Sequence, residues 1–259
     1  MRIVHRRPAP ALARHVDRYW HATAPPGPLP ALLPGTGAEL WLHRGAPPHR
    51  DGAAGPLPRA HLVCLRAGSW RLTAVEPLDV LVVRLRAGAL AALLGPRVDR
   101  LSDTVTDLAE LWGTAGRRLG LAREVPDVER HLAALLTPVP ERFRTAEAAV
   151  RLIRRDPGAA RITELAARLG TTARTLQRTV PAVAGSGPKQ VQRLARFQQL
   201  ARSALLSPGR PDHLRHALAA GFYDQSHAAR EFRRLTGATP GARLAPGTAH
   251  FYFPPLPRG

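Results

Sequence analysis

The sequence predicts an α+β fold in two parts: a small, mostly antiparallel β-barrel or sandwich with flanking helices, then an all-α region of paired helices. Three observations carry this. Residues 38–85 hold short runs rich in Leu, Val and Trp, separated by Gly, Pro and Asp, as strands and turns require. Thr137-Pro138-Val139-Pro140 is a stiff break, because proline lacks an amide hydrogen and restricts the residue before it. Beyond it, residues 141–244 read as helices joined by short turns, and one helix-pair pattern occurs twice. The expected division is 1–140, 141–245 and a Pro-rich tail over 246–259.

Within the first part, Ala9 to His21 reads as a short helix, followed by a Pro/Gly-rich loop from Pro25 to Gly37. Strands are expected over Ala38 to His43, His61 to Arg66, Ser69 to Val75 and Leu78 to Leu85. Helical patterning resumes over Ala87 to Leu94, Thr106 to Trp112 and Val125 to Leu136, where Val128, Leu132 and Leu135 share one face.

The repeat is the most informative feature of the second part. Ile162, Leu165, Ala166 and Leu169 fall on one helical face, and Ala166 stands four residues before Gly170. A small residue there lets a second helix cross closely, and the glycine permits the left-handed backbone that ends a helix. Thr171 or Thr172 can cap the helix that follows, Ala173 to Val180, with Leu176 and Val180 inward. The same grammar recurs 51 residues later, where Leu214, Ala217 and Leu218 lead to Gly221, and Asp224 caps a helix whose Phe232 and Leu235 face the core. Between the copies, Val191, Leu194, Phe197, Leu200 and Ala204 make an apolar stripe over Lys189 to Leu206, a rigid connector. Two helix-turn-helix units in tandem follow, able to enter major grooves about one helical turn, roughly 34 Å, apart.

Charge agrees with this. The net charge is +19, with 20 Arg/Lys against 7 Asp/Glu in residues 141–259 and 18 against 12 in residues 1–140. A basic excess concentrated in one region suits a polyanion partner, since each neutralised phosphate releases counterions. Biased codon usage is an equal competing explanation of the arginines, as Lys189 is the only lysine.

Other chemistry finds little support. Cys64 is the one cysteine, set in an apolar run, so it reads as a buried, inert thiol in a reducing cytoplasm. The eleven histidines form no ordinary ligand spacing, although His43 and His61 can meet inside a barrel. No Gly-x-Ser-x-Gly, P-loop or dinucleotide fingerprint occurs, and no apolar run is long enough to span a bilayer. Trp20, Trp41, Trp70 and Trp112 all fall in the first part, as core residues or as the lining of an apolar effector site.

Gly221-Phe222-Tyr223-Asp224-Gln225-Ser226-His227, continuing through Arg230-Glu231-Phe232-Arg233-Arg234 to Gly237-Ala238-Thr239-Pro240, closely resembles the signature of AraC/XylS-type transcriptional regulators. Leu165 to Gly170, Thr175-Leu176-Gln177-Arg178 and Gly187-Pro188-Lys189 are similar to the same family's first unit and linker. Arg18-Tyr19-Trp20, Leu33-Pro34-Gly35 and Arg84 to Trp112 resemble the N-terminal domain of one branch of these regulators, which implies a degenerate cupin-like barrel that senses a ligand or dimerises.

Carried over by position, the resemblance implies that Arg174, Gln177 and Arg178 of the first recognition helix face a groove, as do Gln225, Ser226, Ala229 and Arg230 of the second. Arginine can pair bidentately with guanine O6 and N7, glutamine with adenine N6 and N7, and serine with several base edges. Thr172, Arg193, Arg196, Arg233 and Arg234 are then candidates for phosphate contacts. Two departures from the family pattern stand out: Pro181 falls where the first recognition helix usually continues, and Ala228 replaces a bulky apolar residue.

The expected function is a cytoplasmic, sequence-specific regulator of transcription that binds double-stranded DNA and is not an enzyme. No cofactor or metal is called for. A small-molecule effector or a homodimer contact would act through the N-terminal domain, with RNA polymerase as a partner for an activator, and no membrane is involved. The competing expectation is a barrel-type enzyme or small-molecule-binding protein tethered to DNA by a basic helical region.

Overall fold

The computed structural model of the chain describes residues 1–86, 88–158, 161–206 and 213–239, the side chains of residues 96, 97, 99, 206 and 213 excepted. The expected tail over 246–259 and the helical continuation to Leu244 lie outside the described residues.

Among the described residues, nine strands precede the helical region: β1 (Arg2–Arg6), β2 (Val16–Ala24), β3 (Gly27–Pro28), β4 (Ala38–His43), β5 (His49–Arg50), β6 (Ala60–Cys64), β7 (Leu72–Ala74), β8 (Leu78–Leu85) and β9 (Val105–Asp107). They form a six-stranded sheet in the order β1-β2-β8-β4-β6-β9 and a three-stranded sheet in the order β3-β7-β5. All paired strands are antiparallel. The sheets do not close into a barrel. Prolines crowd the connections at residues 25–34 and 47–58, and a residue without an amide hydrogen cannot extend a ladder.

Alternation assigns the two faces of the large sheet. Trp20 lies opposite Val82, Val82 opposite Trp41, and Trp41 opposite His61. Glu39, His43 and Arg84 therefore share that face, while Tyr19, Val83, Leu40 and Leu62 share the other. Both faces are buried, which is why β4 reads as a continuous apolar run. Glu39 is the charged exception: its Oε2 accepts from Arg66 at 3.2 Å and from Trp41 Nε1 at 3.3 Å, and its Oε1 from Arg84 at 3.3 Å. Burial opposes its charge, but the two guanidiniums win and hold its carboxyl below the usual range.

The helices of the first part are α1 (Ala89–Leu94), α2 (Leu108–Leu121) and α3 (Val125–Leu135). Asp107 caps α2 by accepting from Ala109 N at 2.7 Å, and α2 packs on β6. On α3, Val128 and Leu132 are buried and Leu135 packs against the core from its edge.

Three expectations need correction here. The helix expected over Ala9 to His21 is only a 3-10 turn at Pro10–Leu12, and the following residues form β2. Val16, Tyr19, Trp20 and Thr23 are β-branched or aromatic, and pairing on both sides, with β1 and β8, decides the outcome. No strand was expected at Arg2–Arg6, whose buried-to-exposed alternation is partial because it lies at the sheet edge. Thr106 opens no helix: it belongs to β9, and α2 begins after its aspartate cap.

Seven helices follow among the described residues: α4 (Arg144–Arg155), α5 (Ile162–Arg168), α6 (Ala173–Thr179), α7 (Pro181–Ala184), α8 (Pro188–Leu206), α9 (His213–Ala219) and α10 (Gln225–Thr236). They dock directly on the sheet part. Helix α7 packs against the 3-10 segment Gly95–Leu101 and against α1, and Ser102 Oγ donates to Gly185 O. Ser69 N donates to Leu235 O at 3.2 Å, and Thr137 ties the proline break to Ala92 O through both its amide and its hydroxyl.

Candidate nucleic-acid interface

Each helix pair ends its first helix with the same hydrogen-bond pattern. In the first, Gly170 N donates to Ala167 O and Thr171 N to Ala166 O; in the second, Gly221 N donates to Leu218 O and Phe222 N to Ala217 O, all at 2.9–3.0 Å. Both glycines have positive φ, +63° and +81°. This is the Schellman termination, in which a left-handed glycine turns the chain out of the helix while two carbonyls stay satisfied. Ala166 and Ala217 are buried beneath the turns, as small crossing residues should be.

The second helices are capped alike. Thr172 Oγ1 accepts from Thr175 N at 3.1 Å, and Asp224 Oδ1 accepts from His227 N at 2.6 Å. The second turn is one residue longer, so equivalent positions in α6 and α10 lie 52 residues apart. Arg174 and Ser226 come two residues after their caps, Gln177 and Ala229 five, and Arg178 and Arg230 six.

Every one of these side chains is exposed except Ala229, which is half-buried, and Gln225 is exposed at the start of α10. On the opposite faces Leu176, Phe232 and Leu235 are buried, together with Ala228, the small residue in place of a bulky one. Phe232 meets Phe197 of α8 with ring centroids 5.1 Å apart. Pro181 divides the first unit: α6 stops at Thr179, and the proline opens α7 at a position where a missing amide costs nothing.

Thr172, Arg233 and Arg234 are also exposed. Arg193 and Arg196 are half-buried and each makes an internal contact through Nε. Arg193 Nε lies 3.1 Å from Glu231 of α10, and Arg196 Nε donates to Pro157 O at 3.0 Å, beside Gln192, which donates to the same oxygen. The apolar stripe of α8 is buried at Val191, Leu194, Phe197 and Leu200. Leu214 and Leu218, expected inward on α9, are instead about half exposed, at 48% and 53%; only Ala217 of that set is core.

Helix α4 plays a part that the sequence analysis does not assign. Its Ala146, Ala149, Val150 and Ile153 are buried, and the helix packs on α6, α7 and α8 at once. The first recognition helix is thus held to the connector through α4 and α7. A sharply one-sided distribution of alanine and aliphatic residues against arginine was the available signal.

Among the described residues no group of three or more His, Cys, Asp or Glu converges as metal ligands, and no helix is long and apolar enough to cross a membrane. His43 and His61 do meet, with stacked rings 5.4 Å apart. Burial pushes their pKa values down to about 3 and about 4, so both are neutral core residues. Cys64 is fully buried, which raises its thiol to about 12, far from a reactive thiolate.

Comparison with known proteins agrees with the geometry. Residues 165–244 match a family described as a helix-turn-helix domain. These residues are an AraC-type helix-turn-helix domain. The chain that carries it is a DNA-binding transcriptional regulator. Residues 4–107, ahead of the AraC-type domain, match a domain of unknown function, DUF6597. No curated protein sequence matches the chain. The structure of ToxT from Vibrio cholerae is similar over 86% of this chain and 97% of its own, at 11% identity and a TM-score of 0.52. ToxT bound to (E)-4-(8-methylnaphthalen-1-yl)but-3-enoic acid is similar over 86% and 98%, at 13% identity and a TM-score of 0.51. The AraC-type domain and the sheet part ahead of it therefore share one overall fold with ToxT.

Proposed function

We propose that this regulator reads a bipartite duplex site, with α6 and α10 in successive major grooves of one face of the DNA. The observation that carries this is the repeated pair: two capped helices that bury one face and present polar rows at equivalent positions, joined through α4 and α8. Arg178 and Arg230 are assigned to guanine, Gln177 and Gln225 to adenine, and Arg174, Ser226 and Ala229 to neighbouring edges. Thr172, Arg233 and Arg234 supply phosphate contacts, which fix register without carrying sequence information. Arg193 and Arg196 leave that set, since their guanidinium Nε atoms are already engaged.

Modulation belongs to the sheet part. A relative in fold, ToxT, has been solved with a naphthalene-bearing carboxylic acid bound, which supports a ligand-responsive reading. The contacts of α7 and α8 with the sheet part provide the route by which a ligand or a second copy would bias the recognition helices.

Selection of bound molecules from a random duplex pool tests the reading. Enrichment of two sequence boxes about one turn, roughly 34 Å, apart is expected. A pool that stays random after repeated rounds sinks it.

A further inference from the structure

Where α4 and α8 meet the large sheet, they frame a half-open cavity of about 880 Å³. Among the described residues, nine arginine side chains line it against two acids, Asp17 and Glu147. Arg18, Arg84 and Arg86 come from the sheet part, Arg151, Arg154 and Arg155 from α4. Composition explains why these cations are arginines, but it does not explain why so many converge on one concavity.

The cavity is short of negative charge. Asp17 is already claimed by Arg18 at 2.8 Å and Arg86 at 3.6 Å. Burial raises its carboxyl, but Arg18, Arg84 and Arg86 overcome this and hold it below the usual range. Arg84 is committed to Glu39 in the sheet core. Arg151, Arg154 and Arg155 have no ion pair among the described residues. Arg154 is mostly withdrawn from solvent, and burial, with Arg84 and Arg86 close by and Asp17 offsetting them only in part, draws its pKa down to about 10. A guanidinium held among others at reduced dielectric is a standing cost that a bound anion would relieve.

We propose that this cavity binds a small polyanion carrying two or more phosphate groups, clamped between the sheet part and α4. Its volume is many times that of one phosphate and lies within the ordinary range for small-molecule sites, about 300–1,000 Å³. Guanidinium forks match phosphate oxygens bidentately: Arg151, Arg154 and Arg155 supply them from α4, and from the sheet part they are faced by Arg18 and Arg86, whose charge Asp17 alone offsets. DNA is a poorer fit: no residue of α6 or α10 lines the cavity, and its walls come from two different parts of the chain. The far side of α4 holds α6 and α7, so occupancy here bears on the element that positions the first recognition helix.

The site is independent of the DNA reading, and so is its test. Calorimetric titration of the full chain at fixed ionic strength compares tripolyphosphate, pyrophosphate and inorganic phosphate. Tripolyphosphate is expected to bind one per chain, at least about tenfold more tightly than phosphate, and to raise Tm by about 5 °C at a hundredfold excess over Kd. The double variant Arg151→Ala/Arg155→Ala, both exposed on α4, and separately Arg154→Gln, should each weaken it about tenfold while leaving far-UV circular dichroism unchanged. Unsaturable uptake that scales only with anion charge, or affinities untouched by both variants, overturns the proposal. A fall in affinity for random duplex DNA that parallels the loss of tripolyphosphate assigns these arginines to the DNA backbone and overturns it equally.

Discussion

The hydroxyl of Thr36 donates to Oε1 of Gln198 at 2.9 Å, joining the loop ahead of β4 to helix α8 across 162 positions of sequence. Thr36 is buried, so its hydroxyl has no ready substitute partner in solvent. Gln198→Ala is expected to cost about 1–2 kcal/mol in urea unfolding, the usual penalty for leaving a buried polar group unsatisfied. Thr36→Val added to it should cost little more, because the two substitutions remove one shared bond. Fully additive losses would show that the bond contributes nothing.

Arg178 and Arg230 occupy the same place in their helices, six residues beyond Thr172 and Asp224. Each is therefore expected to specify one base pair, in different boxes. Arg230→Ala should cost roughly 1–3 kcal/mol on the selected site and relax preference at one position of the second box, with Arg178→Ala doing the same in the first. Binding measured on substituted duplexes decides it; equal loss on random DNA would reassign these arginines to phosphates.

Gly170 and Gly221 share a backbone conformation but not an environment. A Cβ on Gly170 meets nothing within 4 Å, whereas one on Gly221 would lie 2.5 Å from Gly158 Cα. Gly170→Ala should thus cost about 1–2 kcal/mol from left-handed strain alone, and Gly221→Ala distinctly more, since backbone must move as well. Equal costs in thermal unfolding would contradict the close approach of the two backbones.

His43 and His61 give the fold a pH dependence. Their folded pKa values, about 3 and about 4, lie below the unfolded value near 6.5, so the unfolded chain takes up protons first as pH falls. Stability is full above about pH 7 and declines through the interval from 6.5 toward 4, by about 2 kcal/mol per imidazole on going from pH 7 to pH 5. His43→Leu should roughly halve that acid sensitivity; a Tm profile between pH 7 and 5 that keeps its full slope would show the imidazole is not the cause.

Much of the helical half was legible because its signals are local. A glycine four residues after an alanine, a Thr or Asp cap, and a stripe at spacings of three and four each act within a turn or two. The strands β4 and β8 were legible for a similar reason, their unbroken apolar character. What escaped depends on distant partners. Val16 to Ala24 becomes a strand because β1 and β8 flank it, and Leu214 is left about half exposed on α9. The roles of Arg193 and Arg196 could not be read from position either, because Glu231 and Pro157 O come to them only in the folded chain.

Pro181 limits α6 to seven residues, a rod of about 10 Å, against twelve residues and about 18 Å for α10. At about 3.4 Å per base step, the shorter rod passes about three steps of the groove and the longer one about five. Promoters served by this regulator should therefore carry lopsided operators. The half under α10 should be longer and intolerant of change, while the half under α6 drifts more freely from gene to gene.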